Sequence, residues 1–120
     1  MPDENPDQQG VDLQALYDKG LPAKQTLDTA VQGRRINIDV RETRRVVLKY
    51  VNDIVQALAG HDEHSDISRQ FSESSRGFTT FVGIDDPYAD GAAHFYNEGK
   101  RHFFTGYGML WEAAEDQGRE

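Results

Sequence analysis

Between Ala92 and Ala113 a small residue recurs at every seventh position (Ala92, Gly99, Gly106, Ala113), with a larger apolar residue beside it at Tyr96, Phe103 and Leu110. In a helix these two sets fall on one stripe, and the small residues form a seam on which a second helix approaches closely. Gly99, Gly106 and Gly108 oppose that helix, because each costs about 1 kcal/mol relative to alanine in a helix interior. Either close packing returns about 3 kcal/mol, or the glycines divide the segment into shorter pieces. The seam shared with Ala92 and Ala113 favours one long C-terminal helix reaching about Ala114.

A partner for that helix lies upstream. Val46, Val47, Tyr50, Val51, Ile54, Val55 and Leu58 recur at helical spacing, opened by Asp39 with Glu42 three residues on and closed by Gly60. That spacing is a capping box with Asp in place of Ser or Thr. Before it, Val11, Leu13, Leu16 and Tyr17 predict a short helix ending at Gly20, and Pro22 suits the first turn of a second helix through Leu27 and Val31 to Gly33.

Two segments read as strands. Residues 34–40 alternate, with Ile36, Ile38 and Val40 on one face and Asn37 and Asp39 on the other. Residues 78–84 (FTTFVGI) are rich in aromatic and β-branched side chains and are stopped by Asp85, Asp86 and Pro87. Their pairing predicts a small antiparallel β unit. The polar, serine-rich stretch from His61 to Arg76 between them reads as a loop or a surface helix. The expected fold is therefore α+β, mainly helical, with a core on the helices of residues 41–59 and 91–115.

Residues 1–10 hold two prolines and three acids with no apolar residue beyond Met1, which predicts a tail; residues 11–116 are expected to form one domain and residues 117–120 a polar end. The chain of 120 residues has 21 acids against 13 Lys and Arg, a net charge of −8, and no cysteine. That balance disfavours general attraction to nucleic acid or anionic lipid and excludes thiolate chemistry and disulfides. The acidic start lacks the basic and apolar runs of a secretory signal, and no stretch is long and apolar enough for a membrane span, so a cytoplasmic protein is expected.

One region reverses the charge. Arg34, Arg35, Arg41, Arg44, Arg45 and Lys49 against Asp39 and Glu42 give residues 34–49 a net charge of +4. Arg41, Arg45 and Lys49 share a helical stripe, and arginine near a helix N-terminus is mildly unfavourable against the macrodipole. The stripe either pairs with the chain's own acids between Asp62 and Asp90 or forms a surface for a phosphate-bearing or acidic partner, which Arg forks recognise bidentately.

Other motifs carry less. The helix, Gly20 turn and helix of residues 11–33 have the outline of a helix-turn-helix, but the second helix offers only Lys24 as a base. His61 and His64 around Asp62 and Glu63 could ligate a metal, although two histidines at a helix exit equally suit a solvated C-terminus, and no metal or cofactor is expected. DPYADG has Tyr88 at the third position of a would-be calcium loop, and GKRHFFTGYG lacks the ending of a phosphate-binding loop. No nucleophile elbow or metalloprotease helix is present, which points away from an enzyme.

The C-terminal half carries more aromatic residues than one helix face buries, so either the strands and the helix of residues 41–59 cover them all, or Phe104, Met109 or Trp111 is left for a partner or for self-association. The expectation is a small acidic, non-catalytic binding or regulatory protein that occupies a protein partner as an inhibitor, chaperone or immunity-type protein does. A homodimer through the C-terminal helix is expected with it. Two alternatives remain, a nucleic-acid-binding regulator using the Arg34–Lys49 cluster and a small-molecule-binding domain or enzyme with an aromatic pocket beside Tyr96 or Tyr107.

Overall fold

The computed structural model describes residues 11–29, 31–32, 35–36, 38–84, 86 and 89–118. Helix α1 (Leu13–Lys19) starts where the Asp12 carboxylate accepts the Ala15 amide at 3.1 Å, and α2 (Leu21–Thr29) follows after Gly20, burying Ala23 and Leu27. Val40–Glu42 (α3), a π-wound segment Thr43–Leu48 and Lys49–Leu58 (α4) run on as one rod. Asp39 caps this rod by accepting the Glu42 amide at 3.0 Å. A 3-10 turn, Asp62–His64, leads into α5 (Ser65–Val82), and α6 (Ala92–Gly118) ends the described chain. Gly60 and Gly91 take positive φ, +83° and +88°, at the corners before α5 and α6, where a side chain would be strained.

The fold is all-helical, and this corrects the expected α+β class. Residues 78–82 of the anticipated second strand belong to α5. The FTTFVGI stretch has strand-like composition, but Ile67, Phe71, Ser74, Phe78 and Phe81 are buried at helical spacing, and packing of that stripe overrides local propensity. Ser65–Val82 is consequently a core helix of 18 residues, not a surface loop. Of the first anticipated strand, Arg35 and Ile36 lie opposite Gln32 and Val31 in a two-residue antiparallel bridge, and Val40 already begins α3. Nothing pairs residues 34–40 with residues 78–84, among the described residues, because the latter are helical.

Helices α5 and α6 form an antiparallel hairpin whose register is fixed by Phe81 against Tyr96, Gly77 against Gly99 and Phe71 against Phe103. At Gly77 the two backbones nearly touch. A Cβ there would lie 2.7 Å from the Gly99 nitrogen and 2.8 Å from the Phe95 carbonyl oxygen. One at Gly99 would meet the Phe78 ring at 2.9 Å, and one at Gly106 would meet Gln70 Cβ at 3.0 Å. The buried Ser74 hydroxyl donates to the Gly99 carbonyl at 2.7 Å. Helix α6 is continuous through Gly99, Gly106 and Gly108. Its inward face drifts across the heptad as 3.6 residues per turn require, so Ala114 is buried where Ala113 is only half-buried.

Helix α1 lies antiparallel on the far half of α6. The Tyr50 hydroxyl donates to the Leu16 carbonyl at 2.7 Å, and the Tyr107 hydroxyl donates at 2.6 Å to the Tyr17 carbonyl, which also accepts the Gly20 amide at 3.0 Å. Gly20 makes room for both rings, since a Cβ there would lie 2.6 Å from Tyr50 Cζ and 2.7 Å from Tyr107 Cε1. At the other end the Gln117 side-chain amide accepts the Leu13 amide at 3.0 Å and donates to the Val11 carbonyl at 2.7 Å.

Candidate interaction face

Most of the aromatic side chains close on one another. Tyr50, Phe71, Phe103 and Tyr107 meet edge to face or stacked at centroid separations of 5.3 to 6.4 Å, and Phe78 and Phe81 enclose Tyr96. Burial raises the pKa of all three tyrosines, that of Tyr96 to about 12. Tyr96 and Tyr107 therefore belong to the core. The Tyr96 hydroxyl is buried without a hydrogen-bond partner.

Two of the large apolar side chains stay at the surface, Leu21 and Trp111, each 47% exposed. Trp111 is the single tryptophan of the chain. It borders a shallow hollow of about 280 Å³ formed with Tyr17, Lys24, Phe104, Tyr107 and Gly108. Tyr17 stacks on Tyr107 at 4.3 Å, which fixes one wall, and the half-buried Phe104 abuts Phe103 at 5.3 Å. Lys24 is held at 2.8 Å by Asp28, whose hydrogen bond raises the lysine pKa. Among the helical glycines this hollow exposes Gly108, and a Cβ there would meet nothing within 4 Å.

The anticipated basic cluster is differently placed. Arg34 lies outside the described residues, and Arg35 contributes its backbone to the two-residue bridge. Arg45 pairs with Glu42 at 2.7 Å and Lys49 with Asp53 at 2.8 Å, while Arg44 donates to the Val82 carbonyl at 3.2 Å. Arg41 is exposed. The acids that pair with Arg45 and Lys49 are one turn away on the same rod. Exposed pairs of this kind contribute about 0–1 kcal/mol each.

Two further grooves are open to solvent. One, of about 640 Å³, runs between α1 and the π-wound rod past Leu16, Lys19, Val46, Tyr50 and Ile54. The other, of about 380 Å³, lies over the Gly77 crossing between Arg76, Glu73, His94, Glu98 and His102. Within it Arg101 donates to Glu98 at 2.6 Å, which lowers the pKa of that carboxyl, and the His102 Nδ1 lies 2.8 Å from the Gln70 amide oxygen. His61 sits 3.6 Å from Glu63. Among the described residues no group of three or more metal-ligating side chains is placed to hold an ion, and no helix is long and apolar enough to cross a membrane.

Sequence reasoning singles out Phe104 and Trp111 but misses Tyr17, Lys24 and Gly108, which complete the hollow. The available signal was the i, i+4, i+7 spacing of Phe104, Gly108 and Trp111. Comparison with family models, with curated proteins and with solved structures gives no match to this chain.

Proposed function

We propose that this chain is a non-catalytic protein-binding module that acts by occupying its partner through the face of Phe104, Gly108 and Trp111, with Tyr17 and Lys24 at its edge. The observation that carries the reading is the lone tryptophan, left 47% exposed beside a bare helical glycine, where the other described aromatic side chains are buried or half-buried. Tryptophan and other aromatics dominate the energy of protein interfaces, where a flat apolar centre is ringed by polar groups. Here Lys24 borders the hollow, and Glu112 and Glu115 are exposed on the same helix just beyond Trp111. The partner is a protein, and a second copy of the chain is among the partners this face admits.

The experiment is site-specific photo-crosslinking in cells that express the chain. A benzophenone side chain at position 111 or 104 should yield discrete adducts, and the same probe at the exposed position 79 on α5 should not. Absence of adducts at 111 and 104, or equal yields at all three positions, overturns the reading.

A further inference from the structure

We propose that the occupant of this face is a second copy of the chain, packed antiparallel along α6 with a two-fold axis at Gly108; the inference rests on the reading of the face given above. Three observations carry it. First, Gly108 has no role within one chain. Gly99 and Gly106 face α5 at contact distance, whereas the Gly108 φ is not positive and its missing side chain would meet nothing. A mid-helix glycine is unfavourable relative to alanine, so its gain lies outside the chain, where it lets another backbone approach.

Second, the stripe centred on Gly108 is self-complementary. Arg101, Phe104, Thr105, Trp111, Glu112 and Glu115 follow it at steps of three, four and seven, on one side of the helix away from α5. A two-fold axis at Gly108 sets each residue against the one as far along the helix in the other direction. Phe104 then lies level with the mate's Glu112 and one residue from its Trp111, Thr105 level with its Trp111, and Arg101 level with its Glu115. Each pairing occurs twice, as a two-fold interface demands.

Third, charge selects the antiparallel orientation. The half of α6 before Gly108 carries Glu98, Lys100 and Arg101, a net charge of +1 with Arg101 bonded to Glu98 in its own chain, and the half after it carries Glu112, Glu115 and Asp116, a net charge of −3. Acids in a last helical turn run against the helix dipole, so this order is not one the helix itself favours. Between antiparallel copies it sets basic against acidic halves, while parallel copies would set like against like.

The absence of cysteine makes the register directly testable. A single cysteine introduced as Gly108→Cys should give a disulfide-linked dimer under mild oxidation, and Thr79→Cys should give no disulfide-linked species. In sedimentation equilibrium over a hundredfold concentration range, the wild-type chain should rise from 13.6 kDa toward twice that mass. Arg101→Glu and Glu115→Arg should each weaken association about tenfold or more, and the double variant should restore it. All three variants should keep the wild-type circular-dichroism spectrum, since both positions are exposed.

A mass of one chain throughout overturns the second copy. So does a dimer indifferent to positions 101, 111 and 115. If the position-111 probe still captures a different protein while the chain stays monomeric, the face survives and only its occupant is wrong. If it captures nothing, both readings fall.

Discussion

The sharpest test of the packing is one substitution, Gly→Ala, made at two positions of the same hairpin. At Gly77 the added methyl would lie 2.7 Å from the Gly99 nitrogen, about 0.7 Å inside the 3.4 Å of an ordinary contact. The obstructing atoms are backbone, so no rotamer change relieves them and the two helices must part. A gap of 0.5–1 Å forfeits about a quarter to a half of the contact energy of each atom pair across it. Parting also stretches the 2.7 Å bond from Ser74 to the Gly99 carbonyl.

Overpacking of this kind costs about 1–3 kcal/mol, and the strained buried hydrogen bond adds about 1 kcal/mol. Against them stands about 1 kcal/mol gained from helix propensity, which leaves Gly77→Ala less stable by about 1–3 kcal/mol. At about 4 °C per kcal/mol for a chain of this size, its Tm should fall by about 4–12 °C. At Gly108 only the propensity gain operates within one chain, so in dilute solution Gly108→Ala should raise Tm by about 4 °C. Thermal melts followed by circular dichroism, checked by urea unfolding, decide the matter. A Gly77→Ala chain that melts at or above wild type would refute the close crossing.

Tyr96→Phe removes a buried hydroxyl that has no partner and should leave stability unchanged or raise it, whereas Tyr50→Phe, which strips a hydrogen bond from the Leu16 carbonyl, should cost about 1 kcal/mol by urea titration. A folded Tyr96 titrating near 12 against an ordinary value of 10.0 means that the unfolded chain loses its proton first. Stability should be intact below pH 10 and fall as pH rises from there toward 12, seen as a declining urea midpoint. Changing Arg41, Arg44 and Arg45 together to Gln should alter stability by less than about 1 kcal/mol, because their contacts are exposed. A larger loss in thermal melts would make them structural.

What the sequence revealed follows from which interactions are local. The Asp39 cap was legible because it is a contact across three residues, whereas the equally local Arg45–Glu42 and Lys49–Asp53 pairs went unread because acids were sought further along the chain. The small-residue spacing at Gly99 and Gly106 was legible because both face one neighbour. Helix α5 was not. Its stripe passes through Ser74, which a hydrophobic pattern scores as polar and which is buried only because it reaches a carbonyl 25 residues away. It also includes Gly77, whose use depends on the backbone it approaches. Without those two positions the segment divides into a polar half and a strand-like half, and the β pair follows as an artefact. Tyr17 and Lys24 joined the face for the same reason, through a contact spanning 90 residues.

That long-range contact also makes the face depend on a helix too short to stand alone. Helix α1 has seven residues, fewer than an isolated helix needs for stability in water. It holds its shape because side chains of other elements meet its backbone groups, Gln117 at the first turn and Tyr50 and Tyr107 at the last. Tyr107 performs two tasks at once, since its hydroxyl fixes the Tyr17 carbonyl and its ring stacks on the Tyr17 ring. The wall of the hollow beside Trp111 is thus set by the same bond that ends α1. Gly20, by leaving space for both tyrosine rings, is what lets that bond form. The binding surface and the core are therefore one construction, in which α1 is fastened at both ends so that α6 can present its outer stripe against a fixed edge.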